Sequence, residues 1–172
     1  SSAVKSATDP SLKDDLKQIL AASRPRVVYT HNPADKHDTH IGVVVAALQA
    51  TRELPRDQRP AQVTGSEVWR NLDWLPDAKK VLMDVSGRDN LAAALNGVFD
   101  SQIAGGKRYD AAVAGRRLAN ATFFESHAVD TSSALAFALD MTPLVQDETL
   151  EPAAFIDGCI RRFAAEVKER VS

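Results

Sequence analysis

The segment Arg26-Val-Val-Tyr-Thr30 restricts the fold of this chain more tightly than any other. It is short, apolar and β-branched, and it is bounded by Pro25 on one side and by Asn32-Pro33 on the other. A run of this length between breakers reads as a buried strand. The stretch that follows from Ile41 to Glu53 is apolar, Ala-rich and free of Pro, so it reads as a helix whose first turn carries His40. The residues between, His31 to His40, form the loop leaving the strand's carboxyl end, and in open parallel sheets ligands gather there. Three of the chain's four histidines lie in those ten residues. They stand where an α/β fold places its chemistry.

The remaining elements follow from periodicity and punctuation. Residues 1–8 are small and polar, a loose lead-in, and Asp9-Pro10 is a good N-cap and first-turn pair for an amphipathic helix over 10–22 built on Leu12, Leu16, Ile19 and Leu20. Pro55 to Pro60 is a charged surface turn. Gln62 to Trp69 reads as a second strand and Lys79 to Val85 as a third, with Ser86 capping a helix from Gly87 to Ile103 that Gly105-Gly106 breaks. Residues 107–126 are helical, with Arg108, Arg116 and Arg117 either a solvated face or a source of one arginine for a carboxylate substrate. Ser132 to Leu139 is apolar and fits strand or helix equally. Pro143 to Pro152 reads as a loop. Glu151 to Val171 closes the chain as a helix, acidic early and basic late as its dipole prefers.

Imidazole is a common ligand for borderline metals, and His37 and His40, three apart at a helix start, point roughly the same way. One can bind zinc while the other works on a substrate. Asp35 stands beside them as a carboxylate able to orient an imidazole from behind. Trp69 and Trp74 flank Arg70 in the most aromatic stretch; paired tryptophans either stack on a sugar ring or pack at a sheet edge. His127 and Asp130 stand at a His-x-x-Asp spacing without a preceding strand. Gly105-Gly106 lacks the lysine and the glycine repeat of a phosphate loop.

The run Val-Val-Tyr-Thr-His-Asn-Pro-Ala-Asp-Lys-His-Asp-Thr-His resembles the second metal-site segment of the PIG-L (LmbE-like) N-acetylglucosaminyl deacetylases, which ends His-Pro-Asp-His after a buried strand. Val81-Leu-Met-Asp84-Val-Ser and Asp100-Ser101-Gln102 are similar to that family's Asp-Val-Ser strand and its later His-x-Ser-Gln element. The similarity covers roughly residues 10 to 125. It implies a Rossmann-like, mostly parallel sheet flanked by helices, Zn²⁺ as cofactor, His40 as the metal ligand, His37 as the histidine assisting catalysis, and an N-acetylated amino sugar or glycoconjugate as substrate. Thr39 stands where the family has aspartate, Asp38 where it has proline, and Asp100 in place of the histidine of the Ser-Gln element. The family's Ala-His-Pro-Asp-Asp-Glu segment, source of its other two zinc ligands and general base, has no counterpart, and the thirty residues before His31 contain no histidine. On this resemblance residues 1–172 are expected to be the carboxyl-terminal part of one LmbE-like domain, completed by an amino-terminal segment of the same protein or a second chain. The chain alone is then expected to bind zinc weakly and to expose apolar surface.

Composition narrows the field. At 172 residues and 44% hydrophobic content the chain is within single-domain range and can build a core. A net charge of −2 and a pI near 6.1 leave no electrostatic footprint for nucleic acid. One cysteine, Cys159, excludes an internal disulfide and fits a reducing compartment such as the cytoplasm. No apolar run approaches the roughly 20 residues of a membrane span. The expected function is zinc-dependent removal of an N-acetyl or N-acyl group from an amino sugar, in a protein that can associate with copies of itself. Two other readings stay open: a non-catalytic sugar-binding or structural relative whose metal site has decayed, and an autonomous metal-binding module using His31, Asp35, His37 and His40 alone.

Overall fold

A computed structural model of the chain describes Val4 and residues 10–172. The lead-in over residues 1–8 and the Asp9 cap therefore lie outside the described residues, Val4 apart. In chain order the elements are α1 (Ser11–Ser23), β1 (Val27–His31), α2 (Asp38–Arg52), β2 (Gln62–Ser66), β3 (Lys80–Asp84), α3 (Asp89–Gly97), α4 (Tyr109–Phe123), β4 (Leu135–Asp140), α5 (Thr142–Gln146) and α6 (Pro152–Val171). The strands are ordered β1-β2-β4-β3. They make an α/β architecture with a four-stranded sheet flanked by helices.

The chain divides into two compact units, Ser1–Val81 with Ala138–Ser172, and Leu82–Phe137. In the first, β1 and β2 run parallel, pairing Val27 with Gln62 and His31 with Ser66, so both strands reach their carboxyl ends side by side. β4 then pairs antiparallel to β2, Gly65 opposite Leu139. The sheet is mixed, parallel between β1 and β2 and antiparallel between β2 and β4. Ser132 to Leu139 left strand and helix open. The chain settles on a strand because Leu135, Phe137, Ala138 and Leu139 find cover in the interior.

Helices α1 and α2 pack together over β1. Leu20, Ala50 and Leu54 are buried in one cluster, with Leu16, Ala21 and Val28 against it. Of β1, Val28 packs on that cluster, while its neighbours Val27 and Tyr29 are exposed, Tyr29 by 67%. The strand is therefore a half-covered edge, not the doubly covered strand its unbroken apolar run implied, and it obeys the period-two alternation of an edge strand. Arg59, from the Pro55–Pro60 turn, donates to the carbonyls of Leu54 (3.0 Å) and Val145 (2.9 Å) and pairs with Glu148. It closes the carboxyl end of α2 with a charged side chain, as the helix dipole favours.

Three other elements differ from their sequence readings. β2 stops at Ser66 rather than Trp69, because Glu67 turns inward and its carboxylate accepts the Arg70 N–H at 2.9 Å. The expected helix over 87–103 is α3 from Asp89 followed by a single 3-10 turn at Asp100–Gln102. Ser86 does not cap it; its hydroxyl instead accepts the N–H groups of Ser133 and Ala134. The loop expected over 143–152 begins with the short helix α5, with Pro143 in its first turn, where a missing N–H costs nothing, and with Leu144 and Val145 fully buried.

No helix among the described residues is long and apolar enough to cross a membrane.

Candidate metal centre

The site lies wholly in the first unit, where β1 and β2 end together. His31 is the last residue of β1, paired with Ser66 at the end of β2. A tight turn follows: the Asn32 carbonyl accepts the Asp35 N–H at 3.2 Å, and the Asn32 side-chain oxygen accepts the Ala34 N–H at 2.8 Å. Asparagine bonding to the backbone two residues on is the chemistry such turns select. The turn buries Asp35, whose Oδ1 in turn accepts the His37 N–H at 2.9 Å, just as His37 caps α2 with extended backbone. The first turn of α2 thus returns His40 to the mouth of β1.

The result is a convergent donor set. Ligand-capable atoms of His31, Asp35 and His40 all lie within 4.8 Å of one another, the one such group among the described residues. His40 Nδ1 stands 3.0 Å from Asp35 Oδ1, and His31 Nδ1 3.8 Å from Asp35 Oδ2. Ligand atoms around one tetrahedral zinc are separated by roughly 3.3 Å. The two imidazoles are stacked, with centroids 3.8 Å apart and planes 3° from parallel. Stacked rings in one partly dry cleft cannot both carry charge cheaply: burial first, then the neighbouring His40, pushes His31 below the ordinary histidine range, against the pull of Asp35. A neutral imidazole is the form that ligates metal.

A second observation points the same way. His40 Nδ1 is buried and makes no hydrogen bond within the protein, although Asp35 Oδ1 is near, because the approach is not aligned for one. A buried imidazole nitrogen without a partner is costly. A cation shared with Asp35 satisfies it. Two imidazole nitrogens and one carboxylate oxygen are a donor set for a borderline divalent ion, with room for a further ligand in the open cleft of about 420 Å³ they border.

The cleft wall comes from the segment after β2. Glu67, Val68 and Trp69 line it together with Tyr29, Thr30 and Val43. The Trp69 ring meets the His37 ring edge to face at 4.6 Å, and Lys36 Nζ lies 5.7 Å from the indole centroid. His37 also sits edge-on to His40, with centroids 5.2 Å apart.

His40 is in the donor group. Asp35 joins it as a potential direct ligand, and toward His37 it reaches the backbone amide rather than the imidazole. His37 stays outside the group, exposed on the Trp69 ring. His31, to which the resemblance assigned nothing, is a full member. Glu67 and Asn32 were not singled out: Glu67 has no motif, and its significance depends on a strand ending one residue before it. Of the two tryptophans, Trp69 lines the cleft and Trp74 does not. His127 is exposed, and the carboxylate of Asp130 accepts the Thr122 hydroxyl at 3.2 Å. Arg108 forms a two-pronged pair with Asp110. In the second unit Asp84 is a loop tie, held below the usual carboxylate range by bonds from Ser86 and Ser132. The sequence matches no family model, no curated protein and no solved structure.

Proposed function

We propose that this cleft is the metal centre of a zinc-dependent hydrolase that removes an N-acyl group from an amino sugar or its conjugate. The convergence of His31, Asp35 and His40 at the carboxyl ends of two parallel strands carries the reading. Three protein donors beside an open cleft are the arrangement of catalytic rather than structural zinc, which is usually closed by four. The similarity of the His31–His40 run to the PIG-L segment supports the choice of reaction, and the aromatic wall of Trp69 and Tyr29 supports a sugar ring as the group held.

When bound, zinc would supply a Lewis acid for an amide carbonyl and would lower the pKa of a bound water toward neutrality. The chain's own residues do the rest. Asp35 and the two stacked imidazoles hold the ion and balance its charge. His37, held edge-on to Trp69 beside the donor group, is placed to give a proton to the departing amine or to bond the developing oxyanion. Thr30 and Ser66 offer hydroxyls along the cleft for the substrate's own.

A second reading is favoured by one fact: all three donors lie in ten consecutive residues, so a metal-binding module without catalysis needs nothing more. Zinc titration and acetate release from an N-acetylglucosamine conjugate separate the two. Under the hydrolase reading the chain binds one zinc and releases acetate, and His40→Ala loses both. One zinc without hydrolysis favours the module. Zinc content that is unchanged in His40→Ala and in Asp35→Asn defeats both.

A further inference from the structure

We infer that Glu67 and Asn32 form a buried positioning pair that sets the geometry of the metal loop, so that zinc affinity depends on two residues that do not touch the metal. The inference rests on the metal reading above.

Asn32 is fully buried and Glu67 is 6% exposed. Asn32 Nδ2 donates to Glu67 Oε2 at 3.1 Å, and the other Glu67 oxygen accepts the Arg70 N–H at 2.9 Å. The same Asn32 side chain accepts the Ala34 N–H through Oδ1. Its backbone carbonyl accepts the Asp35 N–H, and Asp35 Oδ1 accepts the His37 N–H. A continuous set of hydrogen bonds therefore runs from the turn after β2 into the turn after β1 and ends on the carboxylate between His31 and His40. A carboxylate out of water is expensive unless its oxygens are bonded. Burial accordingly raises Glu67 above the usual carboxylate range, while the Arg70 and Asn32 donors oppose that rise. One oxygen of the acid ties the turn that ends β2 through the Arg70 N–H; the other supplies a fixed acceptor for Asn32.

Each polar side-chain atom of Asn32 and Glu67 has a partner. Arg70 N–H and Asn32 Nδ2 both need an oxygen at position 67, and Ala34 N–H needs an oxygen at position 32. Glu67→Gln offers one oxygen to two donors and must lose a bond. Asn32→Asp sets a second carboxylate against Glu67. The two substitutions together restore all three bonds, with only the one between positions 67 and 32 reversed in direction: the new amide NH₂ at 67 donates to the new carboxylate at 32, whose other oxygen still accepts Ala34 N–H, and the amide oxygen at 67 accepts Arg70 N–H.

The test is zinc affinity by competition with a chromophoric chelator, with the visible spectrum of the cobalt-substituted protein as a geometric readout and melting in chelator as a stability control. We expect each single substitution to weaken zinc by about 10- to 100-fold, the range for groups that orient ligands, and the double swap to recover affinity to within about threefold together with the cobalt spectrum. Singles that keep wild-type affinity, or a folded double as weak as the singles, overturn the inference. If the singles do not fold, the double decides alone: a folded double with wild-type affinity supports the inference, and a double that is weak or unfolded refutes it. Failure of the wild-type chain to bind zinc defeats the metal reading and this inference with it, whereas binding that ignores the pair defeats the inference only.

Discussion

Replacing Gly65 by Ala adds one methyl group at the point where the sheet and the candidate site share backbone. Gly65 is buried in the middle of β2, opposite Thr30 on one side and Leu139 on the other. A Cβ there would stand 2.9 Å from Met141 Sδ, 3.0 Å from Met141 Cε and 3.1 Å from the Asn32 Cα. Contacts this close force a shift. Met141 is fully buried, so its thioether has little free space to retreat into, and Asn32 is backbone that cannot yield without moving the turn to Asp35. Forcing a methyl into a packed interior costs roughly 1–3 kcal/mol, and the double contact argues for the middle of that range, about 2 kcal/mol. For a chain of this length that lowers Tm by about 4–8 °C. Thermal melting in chelator measures the first effect and zinc titration the second, which we expect as a loss of affinity of at least about tenfold. An unchanged Tm refutes the packing argument. A lowered Tm with wild-type zinc affinity shows that Met141 absorbs the methyl and that the coupling from β2 to the metal turn is wrong.

Two further outcomes follow from the site and the surface. His37→Ala should lower turnover by about 10²- to 10⁴-fold with zinc still bound, since His37 lies outside the donor group; loss of zinc along with activity would make it a ligand instead. On the surface, Glu53 accepts from Lys13 at 2.7 Å and from Lys17 at 2.9 Å, and these bonds hold its carboxyl at about 2, below its ordinary 4.5. A depressed carboxylate stabilises the fold above its unfolded value and ceases to as it protonates. The stability difference between wild type and Glu53→Gln should therefore be small but present near neutrality, shrink from about pH 4.5 toward pH 2, and fade in high salt. A difference independent of pH would show that the pair contributes nothing through charge.

How much of this could be read beforehand depends on the range of the interactions concerned. The position of β1, the helix after it and the gathering of histidines between them are local matters, and proline placement and apolar periodicity were enough to find them. The same holds for α1, α4 and α6, whose apolar faces repeat at helical spacing. His40 stood out for the same reason: a histidine in the first turn of a helix that follows a strand is visible in a short window. The direction of β4 was not, because an apolar run has no preference between parallel and antiparallel neighbours, and only its pairing with β2 decides. The openness of β1 likewise depends on what packs against it, which its own apolar residues do not encode. His31 could be placed with the metal donors only once the Asn32 turn bent the chain back on itself. Glu67 lies thirty-five residues from Asn32, and a buried carboxylate looks like any surface acid until the strand before it ends and turns it inward. Local periodicity determined the elements and the neighbourhood of the chemistry; long-range pairing decided which side chains face one another there, because hydrogen-bond direction and burial are properties of two segments meeting and of neither alone.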